Sequence, residues 1–387
     1  PEGYSHFFWL SQERLVCDMK IICSKSELLK GVNTVLKAVP SKTTMPILEC
    51  ILIDTTEDDI KLTANDMELG IETRIKGDIL DKGKIALEAR LFSEIIRKLP
   101  DSEVTIQTDE QCRALIKCEK ARFNIAGKSG EDFAYLPEIE RHKNIAISQF
   151  SLKEIIRQTI FSIADNETNK LMTGELFEID QNELKVVSLD GHRISIRKIE
   201  LKESYDHIKV VVPGKTLSEV SKILSGGIDD EVSIYFTDRH ILFEFDETMV
   251  VSRLIEGEYF RIEQMLSTDY ETKMTINKKE LQDCIERASL LVKEGDKKPI
   301  IINILDDYME LKINSYIGSM NEDISIEKTG KDLMIGFNPR FILDALRVID
   351  DETIDIYLVN PKAPCFIRDE ENHYVYLILP VNFNPGV

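Results

Sequence analysis

Six basic residues keep a fixed step along this chain. Arg90, Lys215 and Arg340 lie 125 residues apart in succession, and Arg97, Lys222 and Arg347 repeat that step seven residues further on. Guanidinium and ammonium groups kept at repeated positions suit polyanion binding, because phosphate oxygens accept charge-assisted hydrogen bonds from them. An acid accompanies each pair, at Glu94, Glu219 and Asp344. A basic pair preserved through three copies is the chemistry most clearly written here.

Catalytic constellations are harder to find. His192 stands in Asp190-Gly191-His192-Arg193, but a catalytic base needs a positioned nucleophile and an orienting partner, and the sequence proposes neither. Ala126-Gly127-Lys128-Ser129 resembles the end of a phosphate loop, yet Arg122 stands where that loop needs its first glycine. The acidic pairs Asp58-Asp59, Asp229-Asp230, Asp306-Asp307 and Asp350-Asp351 fall between apolar runs and read as surface turns rather than a two-metal centre. The six histidines show no zinc spacing, and the seven cysteines are scattered without a Cys-x-x-Cys. Free buried thiols, a reducing cytoplasm, no metal and no cofactor are therefore expected.

The elements that must position the basic pairs follow from periodicity. Lys25–Ala38, 151–164 and 277–293 carry apolar residues at helical spacing behind Ser24, Ser151 and Asn277, which read as N-caps. A second helix in each copy, at 89–99, 214–225 and 339–349, sets its two basic residues seven apart on one face. Phe92, Ile95, Ile96 and Leu99, then Leu217, Val220 and Leu224, then Ile342, Ala345, Leu346 and Ile349 take the opposite face. Alternating runs such as 60–64, 69–75, 184–188, 194–199 and 309–314 read as strands between Asp- and Gly-rich turns. The fold class is α+β: three repeated domains, each with two helices on antiparallel sheet. Their boundaries fall at 19–146, 147–270 and 271–384, after an N-terminal extension at 1–18. Residues 385–387 read as a terminal appendage.

Net charge is −20, from 49 basic and 69 acidic residues, which would ordinarily argue against a nucleic-acid partner. Its distribution says otherwise. The six helical windows hold 16 basic and 8 acidic residues, net +8, leaving 33 and 61 on the remaining 308 residues. Six helices with the same bias point to one phosphate-facing surface and acidic sheets elsewhere. No run of about 18 apolar residues exists, so no membrane span is expected. The first 18 residues lack the basic start and cleavage site of a signal peptide.

These residues resemble a known family. Met19-Lys20-Ile21-Ile22, Thr43-Thr44-Met45-Pro46-Ile47-Leu48, the Asp190-Gly191-His192-Arg193-Ile194 turn and the ending Leu377-Ile378-Leu379-Pro380-Val381 look like landmarks of the bacterial DNA polymerase III beta subunit, the sliding clamps. The resemblance covers 19–383 and implies a head-to-tail homodimeric ring around double-stranded DNA. It implies a processivity factor, not an enzyme, tethering the replicative polymerase and other clamp-binding-motif proteins, and loaded by an ATP-dependent clamp loader in the cytoplasm.

Site residues are implied in the same way. The partner-peptide pocket would use Met172, Leu189, Gly191, His192, Arg193, Ile194, Phe260, Gln264, Met265, Pro364, Ile378, Leu379, Pro380 and Val381. Phe260 stands where the family often has proline, and Asn382 where it often has arginine. DNA contacts would come from Lys42, Arg90, Arg97, Asn166, Lys170, Lys215, Arg340 and Arg347. The dimer would pair Phe123 and Ile125 of one chain with Leu290 and Leu291 of the other. The competing readings are a nucleic-acid enzyme, which lacks a constellation, and a peptide-binding scaffold without DNA, which leaves the helix charge unexplained.

Overall fold

The computed structural model describes residues 18–165, 168–292 and 298–383. The expected extension (but for Asp18), the appendage at 385–387, Asn166 and Lys293 lie outside them. The six helices form where periodicity places them: α1 Lys25–Val35, α2 Ala89–Lys98, α3 Gln149–Arg157, α4 Gly214–Ile223, α5 Lys278–Ser289 and α6 Pro339–Leu346. They pack as the pairs α1 with α2, α3 with α4 and α5 with α6.

Local chemistry sets their starts. Ser24 caps α1 by accepting from the Glu27 N–H at 3.2 Å, and Asn277 caps α5 through the Glu280 N–H at 3.0 Å. Asn338 caps α6, whose first residue is Pro339, a position where the missing N–H costs nothing. The second copy departs from expectation. Its cap is Ser148, which accepts from the Ser151 N–H at 3.0 Å, so α3 starts before Ser151. Gln149, beyond that cap, is wholly buried and accepts from Ser225, which favours the earlier start.

The chain forms two compact units, residues 18–145 with Val232–Arg253, and Ala146–Glu231 with residues 254–383. In the first unit, strands 78–81, 20–24, 103–108, 113–118 and 121–126 form one antiparallel sheet in that spatial order. A second sheet runs through 84–88, 50–54, 60–65, 69–75, 248–253 and 240–245. Its central seam joins two copies: Thr248–Arg253 pairs with Leu69–Ile75, and the Thr73 and Thr248 hydroxyls meet at 2.8 Å.

The second unit also holds two antiparallel sheets. A seven-stranded sheet orders 174–189, 193–213, 374–378, 365–368, 353–358, 272–277 and 327–330. A four-stranded sheet orders 319–325, 308–314, 300–304 and 333–337. Two-residue periodicity gives the seven-stranded sheet two apolar faces. Met274, Ile276, Ile356, Tyr376 and Ile378 enter the core shared with α5 and α6. Leu189, Ile194, Ile196, Val375 and Leu377 form the other face, covered in part by Tyr259, Phe260, Ile262 and Leu266.

Every apolar residue assigned to the buried faces of α2, α4 and α6 is at most 6% exposed. Cys23, Cys50, Cys118, Cys284 and Cys365 are free and buried, as expected. Cys112 corrects that expectation, since it is disulfide-bonded. It sits half-buried beside a turn at φ +53°.

Candidate binding cleft and basic helix faces

A cleft of about 530 Å³ opens on the second face of the seven-stranded sheet. Its floor comes from neighbouring strands, Leu189 opposite Ile194 and Ile194 opposite Leu377. Met172 lies on a single turn of 3₁₀ helix, Lys170–Thr173, and Phe260, Gln264 and Met265 come from the segment crossing the sheet. Pro364 and Leu379 complete it. Met265 and Leu379 are 51% and 38% exposed, large apolar groups in a concave site rather than a core.

The turn at the rim is built by Asp190. Its carboxylate accepts from the His192 N–H at 2.9 Å and the Arg193 N–H at 3.2 Å, while Gly191 takes φ +87°, a value that favours glycine. The His192 carbonyl then accepts from the Leu379 N–H at 2.9 Å, tying the chain's end to the turn. His192 lies with its ring centroid 5.8 Å from that of Phe341.

Arg193 is the most constrained charge in the site, only 5% exposed. Its guanidinium donates to Asp190 at 2.9 Å, to Asp344 of α6 at 2.6 Å and to the Phe161 carbonyl at 2.6 Å. The Phe341 ring lies 4.6 Å away and the Phe161 ring 5.4 Å. Two carboxylates, a carbonyl and two aromatic faces compensate its desolvation. Phe161, Phe341 and Asp344 escape sequence reading, because nothing local links them to residue 193.

The cleft brings together Met172, Leu189, Gly191, His192, Arg193, Ile194, Phe260, Gln264, Met265, Pro364 and Leu379. Three expected members are not among its lining. Ile378 faces the opposite side and is 1% exposed in the core beneath α6, because side chains alternate along its strand. Leu377 takes its place, and counting two back from Leu379 would have found it. Pro380 and Val381 have moved past the cleft, where the Val381 N–H donates to the Gly336 carbonyl at 2.8 Å.

The repeated cations Arg90, Arg97, Lys215, Lys222, Arg340 and Arg347 are all exposed, as are Lys42 and Lys170. Arg90 donates to the Ser41 carbonyl at 3.3 Å, next to Lys42. Arg97 and Lys222 pair with the acid three residues before them, at 2.5 and 2.8 Å. Arg157 on α3 is held by Glu154 at 2.6 Å and Asp350 at 3.0 Å, and Arg287 on α5 by Glu322 at 2.9 Å. Net charge per helix therefore overstates what those two offer to an anion.

Along the full described length, three family models match in order: the N-terminal domain of the DNA polymerase III beta subunit at residues 19–137, its central domain at 146–260 and its C-terminal domain at 263–382. The chain belongs to the DNA polymerase III beta subunit family, the beta sliding clamps. It is 36% identical to the beta sliding clamp of Bacillus subtilis over 376 residues, which is 94% of this chain and 99% of that one. The crystal structure of the B. subtilis DNA polymerase sliding clamp superposes with TM-score 0.92 at 35% identity, covering 95% of this chain and all of that one. A structure from Eubacterium rectale described as a DNA polymerase III beta subunit reaches 69% identity and TM-score 0.92, over 94% of this chain and all of that one. Family membership carries the sliding-clamp function: a DNA replication component that moves on DNA.

Proposed function

We propose that two copies of this clamp close head-to-tail into a ring around double-stranded DNA and act without catalysis. The observation that carries the reading is that all six cations at the repeat positions of the second helices are exposed, while the chain as a whole is strongly acidic. Phosphate contacts of this kind hold DNA without reading its sequence. A topological hold leaves the ring free to slide, because no single contact needs to be tight.

The ring is closed by apolar groups at a sheet edge and at a helix end. Phe123 is 37% exposed, and with the half-buried Ile125 it lies on the edge strand Ala121–Ala126. Leu290 is 80% exposed at the end of α5, beside the half-buried Leu291. The repeat boundaries 19–146, 147–270 and 271–384 are the proposed domains of each chain. A closed ring cannot thread circular DNA unaided, which implies an ATP-dependent clamp loader. The cleft around Met265 and Leu379 receives short segments of the replicative polymerase and other clamp-binding-motif proteins, in the cytoplasm at the nucleoid. A flexible segment with a glutamine and large apolar residues suits its apolar walls and polar rim.

Native mass combined with retention on DNA is the test. The expected result is a dimer near twice 44.4 kDa that, once loaded, stays on nicked circular DNA and runs off the same DNA when linearised. A wild-type monomer at micromolar concentration, or equal retention on both forms, would overturn the ring.

A further inference from the structure

A second hollow, about 310 Å³, lies on the same sheet face as the cleft. Its floor is Ile196 and Val375, each two residues along its strand from a residue of the first cleft, Ile194 and Leu377, together with Phe366, the register partner of Leu377. Ile194 is the register partner of Leu377, and Ile196 that of Val375. The two hollows are thus successive rows of one surface, separated by roughly 7 Å, the rise of two strand residues. One segment crosses between them, giving Gln264 and Met265 to the first and Glu263 and Leu266 to the second.

The rim of the second hollow is basic. Lys185, Lys198 and Arg368 face it against one acid, Glu263. Lys185 is held by Glu178 at 2.5 Å, and the half-buried Lys198 pairs with Glu183 at 3.0 Å. Arg368 is different. It stacks on the Tyr357 ring at 4.4 Å and donates to the Thr268 carbonyl at 3.3 Å, and among the described residues no carboxylate lies within ion-pair distance. A guanidinium fixed on an aromatic face, with donors to spare beside an apolar floor, fits a carboxylate that arrives next to an apolar side chain.

We propose that this hollow is an extension site for the same partner segment, taking an apolar residue and then an acidic one from the stretch flanking the part bound in the first cleft. The inference rests on the peptide reading of that cleft. Continuity of the floor names the occupant, and Arg368 with Lys198 names its charge. On a chain of net charge −20, a local basic rim also selects against flanks without an acid.

Fluorescence anisotropy on the full chain tests it with three synthetic peptides. The core is a pentapeptide beginning with Gln and ending in two large apolar residues. The other two add a Ser spacer, Leu and Asp, at either the amino or the carboxyl end. One extended peptide is expected to bind about tenfold tighter than the core. The double variant Lys198→Gln/Arg368→Gln should return it to the core affinity and leave the core peptide within about twofold. Equal binding of all three peptides, or equal loss for core and extended peptides in the variant, would overturn the extension site. Failure of the core peptide to bind, or its indifference to Met265→Ala/Leu379→Ala, would instead remove the reading of the first cleft.

Discussion

The acid that recurs on the second helix of each copy does different work in different copies. On α2 and α4, Glu94 and Glu219 pair with the basic residue one turn later, at 2.5 and 2.8 Å. On α6 the shorter Asp344 is taken by Arg193, at 2.6 Å, and its own helix neighbours Arg340 and Arg347 stand off at 3.8 and 4.0 Å. One repeat position pairs with an exposed cation in two copies and with a nearly buried one in the third. That pair fastens the rim of the cleft to a helix carrying two exposed cations. Sequence symmetry fixes where a charge sits; its energetic weight comes from what packs around it.

Removing Arg193 should break the contrast most severely. Arg193→Ala strands the Asp190 and Asp344 carboxylates, and about 3–5 kcal/mol of stability should be lost in denaturant unfolding. A loss below about 1 kcal/mol would mean that the network carries little weight. Asp344→Asn keeps the shape and removes the charge, so about 1.5–2 kcal/mol is expected. Glu94→Gln and Glu219→Gln should each stay within about 0.5 kcal/mol, and 0.5 M salt should narrow their difference from wild type further. If Glu219→Gln cost as much as Asp344→Asn, the distinction between copies would fail.

Another acid sharpens the same point from the opposite side. Glu175 is wholly buried, neither of its carboxyl oxygens has a hydrogen-bond partner among the described residues, and burial pushes its pKa up to about 8. The nearby Thr159 hydroxyl offsets little of this, being committed to the Ile155 carbonyl at 2.7 Å. Its folded pKa lies above its unfolded one, so the native state holds the extra proton. Stability from this group is intact below about pH 4.5, falls through the window up to pH 8, and does so with a slope approaching 1.4 kcal/mol per pH unit. Glu175→Gln should flatten that slope and leave the variant more stable than wild type at pH 8.5. Thermal melts across pH 5–9 measure it, and parallel curves for the two proteins would show that Glu175 is not the titrating group.

Much of this was legible in the chain. The helices were, because an apolar stripe at 3.6-residue spacing has few other uses, and so was the repeat, because three basic pairs share one step. The failures share a cause. Placing the second copy's cap at Ser151 instead of Ser148 came from reading a helix start without knowing that Gln149 is buried against Ser225. Assigning Ile378 to the cleft ignored an alternation that Leu379 already defined. The Arg193 network was out of reach, since Phe161 and Asp344 lie 32 and 151 residues away and only packing unites them. Arg157 and Arg287 were counted as available cations because ion pairs formed across the sequence are invisible to a charge count.

The pairing of Thr248–Arg253 with Leu69–Ile75, and of Arg193–Arg197 with Tyr374–Ile378, bears on the molecule's history. Three copies of one segment ordinarily remain separable modules, each able to be excised or exchanged. Here the middle copy contributes strands to both compact units, so cutting at its ends would expose four unpaired strand edges at once, an invitation to aggregate. Duplication made the three parts alike; stitching their backbones into common sheets made them inseparable, and later change must preserve every seam together.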